Sequence, residues 1–287
     1  MDAAMRLLAW YRQTTTAYRK MERKVSYETI EFEMRSSVAW ITLNRPKSFN
    51  SLNLAMAKEL CDLSIRLGED KNVRAVIMTG SGEAAYCAGG DIPSFANNLE
   101  SLPMLLKEMT TYLHMAISRF AWMRAPMIAA VNGVAAGAGL SMVACTDLAI
   151  AVEGASFTSA YTKIGLSPDG SSTYYLPRII GTRRAAELYM TNRVLNTQEA
   201  LEWGLINKIV PAADLVAEAE KLANQLADSA TEAMGAVKEM LLTSSTDSLE
   251  SQMERETRNI ARLGGTSDGR EGIDAFLNKR KPAFTGN

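Results

Sequence analysis

The chain has 287 residues, 47% of them hydrophobic, and a formal net charge of -1, enough for one large domain or a domain with an appendage. That balance gives no general attraction to nucleic acid or to an acidic membrane surface, and no apolar run is long enough to span a bilayer. Cys61, Cys87 and Cys145 have no paired spacing and suit a reducing compartment. One histidine without a cysteine pair speaks against a zinc site.

In an N-terminal extension over 1–26, the first twenty residues carry Arg6, Arg12, Arg19 and Lys20 against Asp2, with Leu7, Leu8, Trp10 and Tyr11 between them. An N-terminal helix or arm on a cytoplasmic protein is the expectation; an organelle presequence, with a mitochondrial matrix location, is the alternative. From Tyr27 strands begin, over Thr29 to Met34 and Val38 to Leu43, closing at Asn44-Arg45-Pro46. Asn53 to Leu67 predicts a helix with Leu54, Met56, Leu60, Leu63, Ile65 and Leu67 on one apolar stripe. A buried strand over Val73 to Gly80, a helix over Leu102 to Met123 and a strand over Met127 to Val131 follow. Leu140 to Ala144 reads as a short helix and Leu148 to Val152 as a strand. Alternating strands and helices predict an α/β architecture with chemistry at the strand-to-helix turns. After Thr182 the pattern turns helical, over Arg183 to Met190, Thr197 to Trp203, Ala213 to Leu226, Ser229 to Leu242 and Leu249 to Leu263.

Two small-residue runs stand out, Cys87-Ala88-Gly89-Gly90-Asp91-Ile92 and Asn132-Gly133-Val134-Ala135-Ala136-Gly137-Ala138-Gly139, each following an apolar run. Without bulky side chains the main chain can approach a ligand and aim its N–H groups at it. Two such turns together would hold a developing oxyanion between two backbone donors. Tight helix–strand packing is the plainer account. A nucleotide loop of the Walker type fails, because Gly139-Leu140-Ser141 lacks the lysine.

On these runs, together with Ile41-Thr42-Leu43-Asn44-Arg45-Pro46-Lys47, Gly181-Thr182-Arg183-Arg184-Ala185 and the C-terminal Arg270-Glu271-Gly272-Ile273-Asp274-Ala275-Phe276, the chain resembles the crotonase (enoyl-CoA hydratase/isomerase) superfamily. The resemblance runs from Tyr27 onward. It implies a spiral of ββα units over 27–210 that binds acyl-CoA, and a helical trimerisation region over 211–287. The protein would then be a homotrimer or a dimer of trimers. It further implies a thioester substrate in which coenzyme A is part of the substrate, with no separate cofactor and no metal. The oxyanion donors would be the amides of Gly90 and Ala138. Coenzyme A contacts would come from around Lys47 and Phe49 and from Ala88, Asp91 and Ile92, with Lys279 or Lys281 near the phosphates.

Where hydratases of this superfamily carry two glutamates, this chain has Ser141 and Tyr161. Hydration needs one group to activate water and another to supply the α-proton, so hydratase activity is not expected. Asp169, in Gly165-Leu166-Ser167-Pro168-Asp169-Gly170, could be an ordinary turn residue or helix cap. It matches, however, the aspartate of the enoyl-CoA isomerases of phenylacetate breakdown. The resemblance makes it the catalytic base of a double-bond isomerase. The 4-chlorobenzoyl-CoA dehalogenases carry an aspartate nucleophile at the equivalent site, and His114 falls near their water-activating histidine. A dehalogenase-like enzyme with Asp169 as nucleophile and His114 as base is therefore the rival, although His114 borders the stripe Leu106, Met109, Leu113, Ile117 and Phe120 and could be merely packed. Tyr161 would line the acyl pocket. A catalytically silent or RNA-binding relative is the alternative from another class; the helix over Met56 to Leu67 lacks the basic face that RNA would need.

Overall fold

The computed structural model describes residues 26–287, and the N-terminal arm lies outside them. β1 (Ile30–Arg35) and β2 (Val38–Leu43) make an antiparallel hairpin in which Ile30 faces Leu43 and Arg35 faces Val38. Two sheets grow from this start. β3 (Ala75–Gly80), β5 (Met127–Val131), β7 (Leu148–Val152) and β10 (Lys208–Val210) add in parallel, in the order β1-β2-β3-β5-β7-β10. The smaller sheet holds β4 (Ala85–Cys87), β6 (Val134–Ala136), β8 (Ser156–Thr158) and β9 (Val194–Asn196), in the order β4-β6-β8-β9. This is the α/β architecture expected from the alternating strands and helices.

The central parallel strands β5 and β7 are apolar throughout because both of their faces are covered. Helix α1 (Leu54–Glu69) packs on α3 (Leu102–Trp122), burying Met56, Leu60, Leu63 and Leu67, whereas Ile65 turns toward solvent instead of joining the stripe. Asn53 caps α1 by accepting the Met56 N–H at 2.9 Å. Helix α8 (Leu215–Ala227) lies along β2, β3, β5 and β7. Its Leu215, Ala219, Ala223 and Ala227 recur every four residues and are all buried, so small side chains let this helix lie close to the sheet. Helices α6 (Thr182–Thr191) and α7 (Thr197–Glu202) flank β9. Among the described residues no helix is long and apolar enough to cross a membrane.

The C-terminal portion continues with α9 (Thr231–Thr243), α10 (Leu249–Gly264) and α11 (Ser267–Leu277). The last of these was not marked by the sequence pattern. Asp268, buried at its start, accepts the N–H groups of Thr285 and Gly286, each at 2.7 Å, and so clasps the chain end.

Candidate active site

The small sheet builds the site. Its strands β4, β6 and β8 are parallel neighbours, so the segments leaving them emerge side by side at one end of the sheet. Each strand is three residues long, and each exit is a run of small residues or a tight turn. After β4 comes Ala88-Gly89-Gly90, and after β6 comes Gly137, which opens helix α4 (Ala138–Ala144). That helix begins two residues earlier than its sequence pattern suggests. Gly137 supplies the reason: at φ 51 it turns the chain sharply, so Ala138 is the first helical residue. An N–H at that position has no intrahelical acceptor.

The two turns touch. A Cβ on Gly89 (φ +100) would lie 3.1 Å from the Ala136 carbonyl oxygen, and one on Gly137 would lie 3.4 Å from the Gly89 Cα. One on Gly139 would lie 2.0 Å from the Cys87 carbonyl oxygen, so the first turn of α4 can sit on β4 only as glycine. Among the described residues, the hydrogen bonds that hold these loops do not use the Gly90 or the Ala138 N–H. The first turn is fixed instead by Leu52, whose N–H bonds the Gly89 carbonyl at 2.7 Å and whose carbonyl accepts the Asp91 N–H at 2.9 Å. The Ala88 N–H donates to the Phe49 carbonyl at 3.0 Å. Asp91 points back into the protein. It accepts from Arg45 and from the Ser94 N–H, capping α2 (Ile92–Ala96).

The exit of β8 leads to Ala160, at φ 57, and Tyr161. The Tyr161 hydroxyl donates a short hydrogen bond to Asp169 Oδ1. Ser141 in α4 locks the pair from below: its hydroxyl lies 3.1 Å from the Tyr161 hydroxyl and bonds the Asp169 carbonyl at 3.0 Å. Asp169 Oδ2 has no hydrogen-bond partner among the described residues. Burial raises the Asp169 carboxyl above the usual carboxylate range, opposed by the Tyr161 hydrogen bond. Burial and the neighbouring carboxylate push Tyr161 well above a free phenol, so it stays protonated as a donor.

These pieces enclose one cavity of about 290 Å³. Gly90, Ala138, Tyr161, Asp169, Ala88 and Ile92, all singled out from sequence, line it. Among the described residues, Asp169 is the one carboxylate in its wall. Such an arrangement can polarise a carbonyl with two backbone N–H groups and move a proton with one carboxylate.

Residues 33–287 match the sequence profile of the enoyl-CoA hydratase/isomerase family. The chain belongs to that family. It is 36% identical over 263 residues to 1,2-epoxyphenylacetyl-CoA isomerase of Escherichia coli (strain K12), covering 90% of this chain and 99% of that protein. It is likewise 36% identical over 254 residues to 4-chlorobenzoyl coenzyme A dehalogenase-2 of Arthrobacter sp, covering 87% and 91%. Among solved structures, enoyl-CoA hydratase from Bacillus anthracis superposes with a TM-score of 0.85 at 33% identity, covering 91% of this chain and 100% of that one. The fold is therefore that of the crotonase superfamily, and the enzyme acts on acyl-CoA.

Within this crotonase frame, six residues singled out from sequence lie away from the cavity wall. Lys47 and Phe49 sit on an exposed turn over Pro46–Ser48, with Phe49 57% exposed. Asp91 is engaged by Arg45. His114 faces a separate pocket behind the Asp169 turn. Lys279 and Lys281 are exposed after α11, Lys281 lying 3.7 Å from Asp228. Conversely, Leu106, Met109, Leu113 and Lys163 line the cavity. The first three had the spacing of a core stripe, and spacing alone does not separate a cavity wall from a core. Lys163 carried no signal at all. Cys87 is fully buried, with its thiol pushed up to about 12 by burial, the character of a packed residue rather than a nucleophile.

Proposed function

We propose that this crotonase-superfamily enzyme is an enoyl-CoA isomerase that moves a double bond with a single carboxylate base. The thioester carbonyl oxygen lies between the amides of Gly90 and Ala138. They stabilise the enolate formed when Asp169 Oδ2 removes a proton from the substrate's α- or γ-carbon. The same carboxyl then returns the proton at the other end of the allylic system, so no second acid is needed. Tyr161 holds Oδ1 and leaves Oδ2 free. Each backbone donor is worth roughly 10²–10³-fold in rate in sites of this kind. Coenzyme A enters as part of the substrate, and the reaction uses no metal or redox cofactor.

The observation that carries this reading is the pairing of one carboxylate, with one unengaged oxygen, and two uncommitted backbone N–H groups in the same cavity. The similarity to 1,2-epoxyphenylacetyl-CoA isomerase supports it. Hydration is disfavoured because the positions of the two familiar glutamates are Ser141 and Tyr161, both engaged in holding Asp169. The similarity to a dehalogenase keeps a covalent role for Asp169 as the second reading. His114 counts against it, since its Nε2 already accepts the Gly170 N–H at 3.1 Å.

The enzyme works as a homotrimer or a dimer of trimers in the cytoplasm. Exposed apolar side chains of the helical region, including Leu249, Ile260 and Phe276 at 70%, 75% and 84% exposure, support assembly between copies.

Mass spectrometry of a 3-enoyl-CoA incubated with enzyme in D2O tests the reading. Conversion to the 2-enoyl isomer, abolished by Asp169→Asn with folding and coenzyme A binding intact, is the expected result. Neither isomer nor deuterium uptake in wild type would overturn it, and halobenzoyl-CoA cleavage would then be assayed.

A further inference from the structure

The chain's single histidine serves the site from behind. Leu113 and His114 are adjacent on α3 but point different ways: Leu113 lines the substrate cavity, while His114 lies among Ile117, Ser118, Ser171 and Tyr174 in a pocket of about 190 Å³ on the far side of the turn. There its Nε2 accepts the Gly170 N–H at 3.1 Å. A nitrogen that accepts carries no proton, so the imidazole is neutral with its hydrogen on Nδ1.

The turn it grips needs gripping. Gly170 and Ser171 both have positive φ, +59 and 59, and a Cβ at Gly170 would lie 2.7 Å from the Ser141 Cβ. Gly170 adopts this region freely, but a left-handed serine is a costly conformation that persists only where neighbours over-determine it. Ser141 and Ser172 hold this turn by the Asp169 carbonyl at 3.0 and 2.9 Å; His114 holds it by the next N–H.

We propose that His114 is a positioning residue: as a neutral acceptor it fixes the Asp169–Gly170 turn and thereby aims the Asp169 carboxylate into the cavity. Protonation would turn Nε2 from acceptor into donor, facing a second donor, and release the turn. The titratable and charged groups facing it are Asp169 from the turn and Tyr174 and Tyr175 from α5 (Ser172–Ile180), with the Arg178 guanidinium stacked 3.6 Å over Tyr174; α9 presents Leu242. The effect on turnover rests on the isomerase reading; the effect on the turn does not.

Because the chain has one histidine, its imidazole nitrogens can be read by long-range 15N–1H NMR without assignment. The expected neutral-pH spectrum is the Nδ1–H tautomer with a hydrogen-bonded Nε2. Hydrogen exchange across 166–176 should quicken about fivefold to tenfold in His114→Ala, the worth of one lost hydrogen bond, and stay at the wild-type rate in His114→Gln, whose Oε1 keeps the acceptor. Isomerase kcat should follow the same order with KM unchanged. An Nε2–H tautomer, or exchange in His114→Ala equal to wild type, overturns the proposal. A wild type that moves no proton in 3-enoyl-CoA defeats the isomerase reading alone, since the NMR and exchange results still decide whether His114 holds the turn.

Discussion

The Arg45 guanidinium meets the Asp91 carboxylate at 2.6 Å, joining segments 46 residues apart. Asp91 follows Gly90 directly, so this contact sets where the Gly90 amide points. Arg45 also donates to the Ser51 carbonyl at 2.6 Å, and Asp91 caps α2 through the Ser94 N–H at 3.1 Å. One ion pair thus ties the β2 exit, the Gly90 turn and the start of α2 together. Removing the cation alone strands a carboxylate that is 6% exposed. Arg45→Met is expected to cost about 3 kcal/mol in urea unfolding and up to roughly 10²-fold in kcat through the displaced donor. Unchanged kcat would mean that the Gly90 turn holds its shape unaided.

Gly139→Ala tests the contact between α4 and β4. Its Cβ would press 2.0 Å from a backbone oxygen, which cannot rotate away as a side chain does. The first turn of α4 must lift, carrying Ala138 with it. A thermal melt should show a loss of about 2 kcal/mol or more, against little change for Gly68→Ala, where a Cβ meets nothing within 4 Å.

Tyr161→Phe separates two influences on Asp169. Burial raises its carboxyl and the Tyr161 hydrogen bond lowers it, so removing the hydroxyl leaves the raising influence less opposed. Asp169 acts as a base only when ionised, and activity therefore fails as the pH drops through its folded titration. In the variant that acid limb of kcat/KM should move to higher pH, with kcat at neutral pH falling about tenfold. A limb that stays in place or moves down would show that Tyr161 does not govern the carboxylate.

Ile260→Glu addresses assembly. Leu249, Met253 and Ile260 lie exposed on α10, whose one buried residue is Asn259. A charge in that stripe should shift the protein to smaller species in light scattering while leaving the monomer's far-ultraviolet circular dichroism intact. An unaltered mass would place the interface elsewhere.

Legibility in the sequence followed length and repetition. The long strands and the helices α1 and α3 showed their periods within a residue or two of their ends. The small sheet did not, because three residues cannot display a period of two, and yet that sheet aims the two glycine turns at one cavity. The turns themselves were visible, since close approach leaves a composition of small residues. Asp169 was found by its match to a family segment rather than by any pattern of its own. The Tyr161 hydroxyl reaching it, and the imidazole behind it, depend on how β8 and α3 are placed in space, which no spacing along the chain encodes.

The contact between Ser141 and Gly170 bears on how such enzymes diverge. A protein engineer seeking hydration would place glutamate at 141, but the Ser141 Cβ faces the left-handed Gly170 backbone, and its hydroxyl reaches the Gly137 and Asp169 carbonyls as well as Tyr161. A longer side chain there would push on the very turn that presents Asp169. New chemistry at this locus must then arrive as a concerted set of replacements at 141, 161 and 169–171, and single-step intermediates would lose the old reaction before gaining the new one.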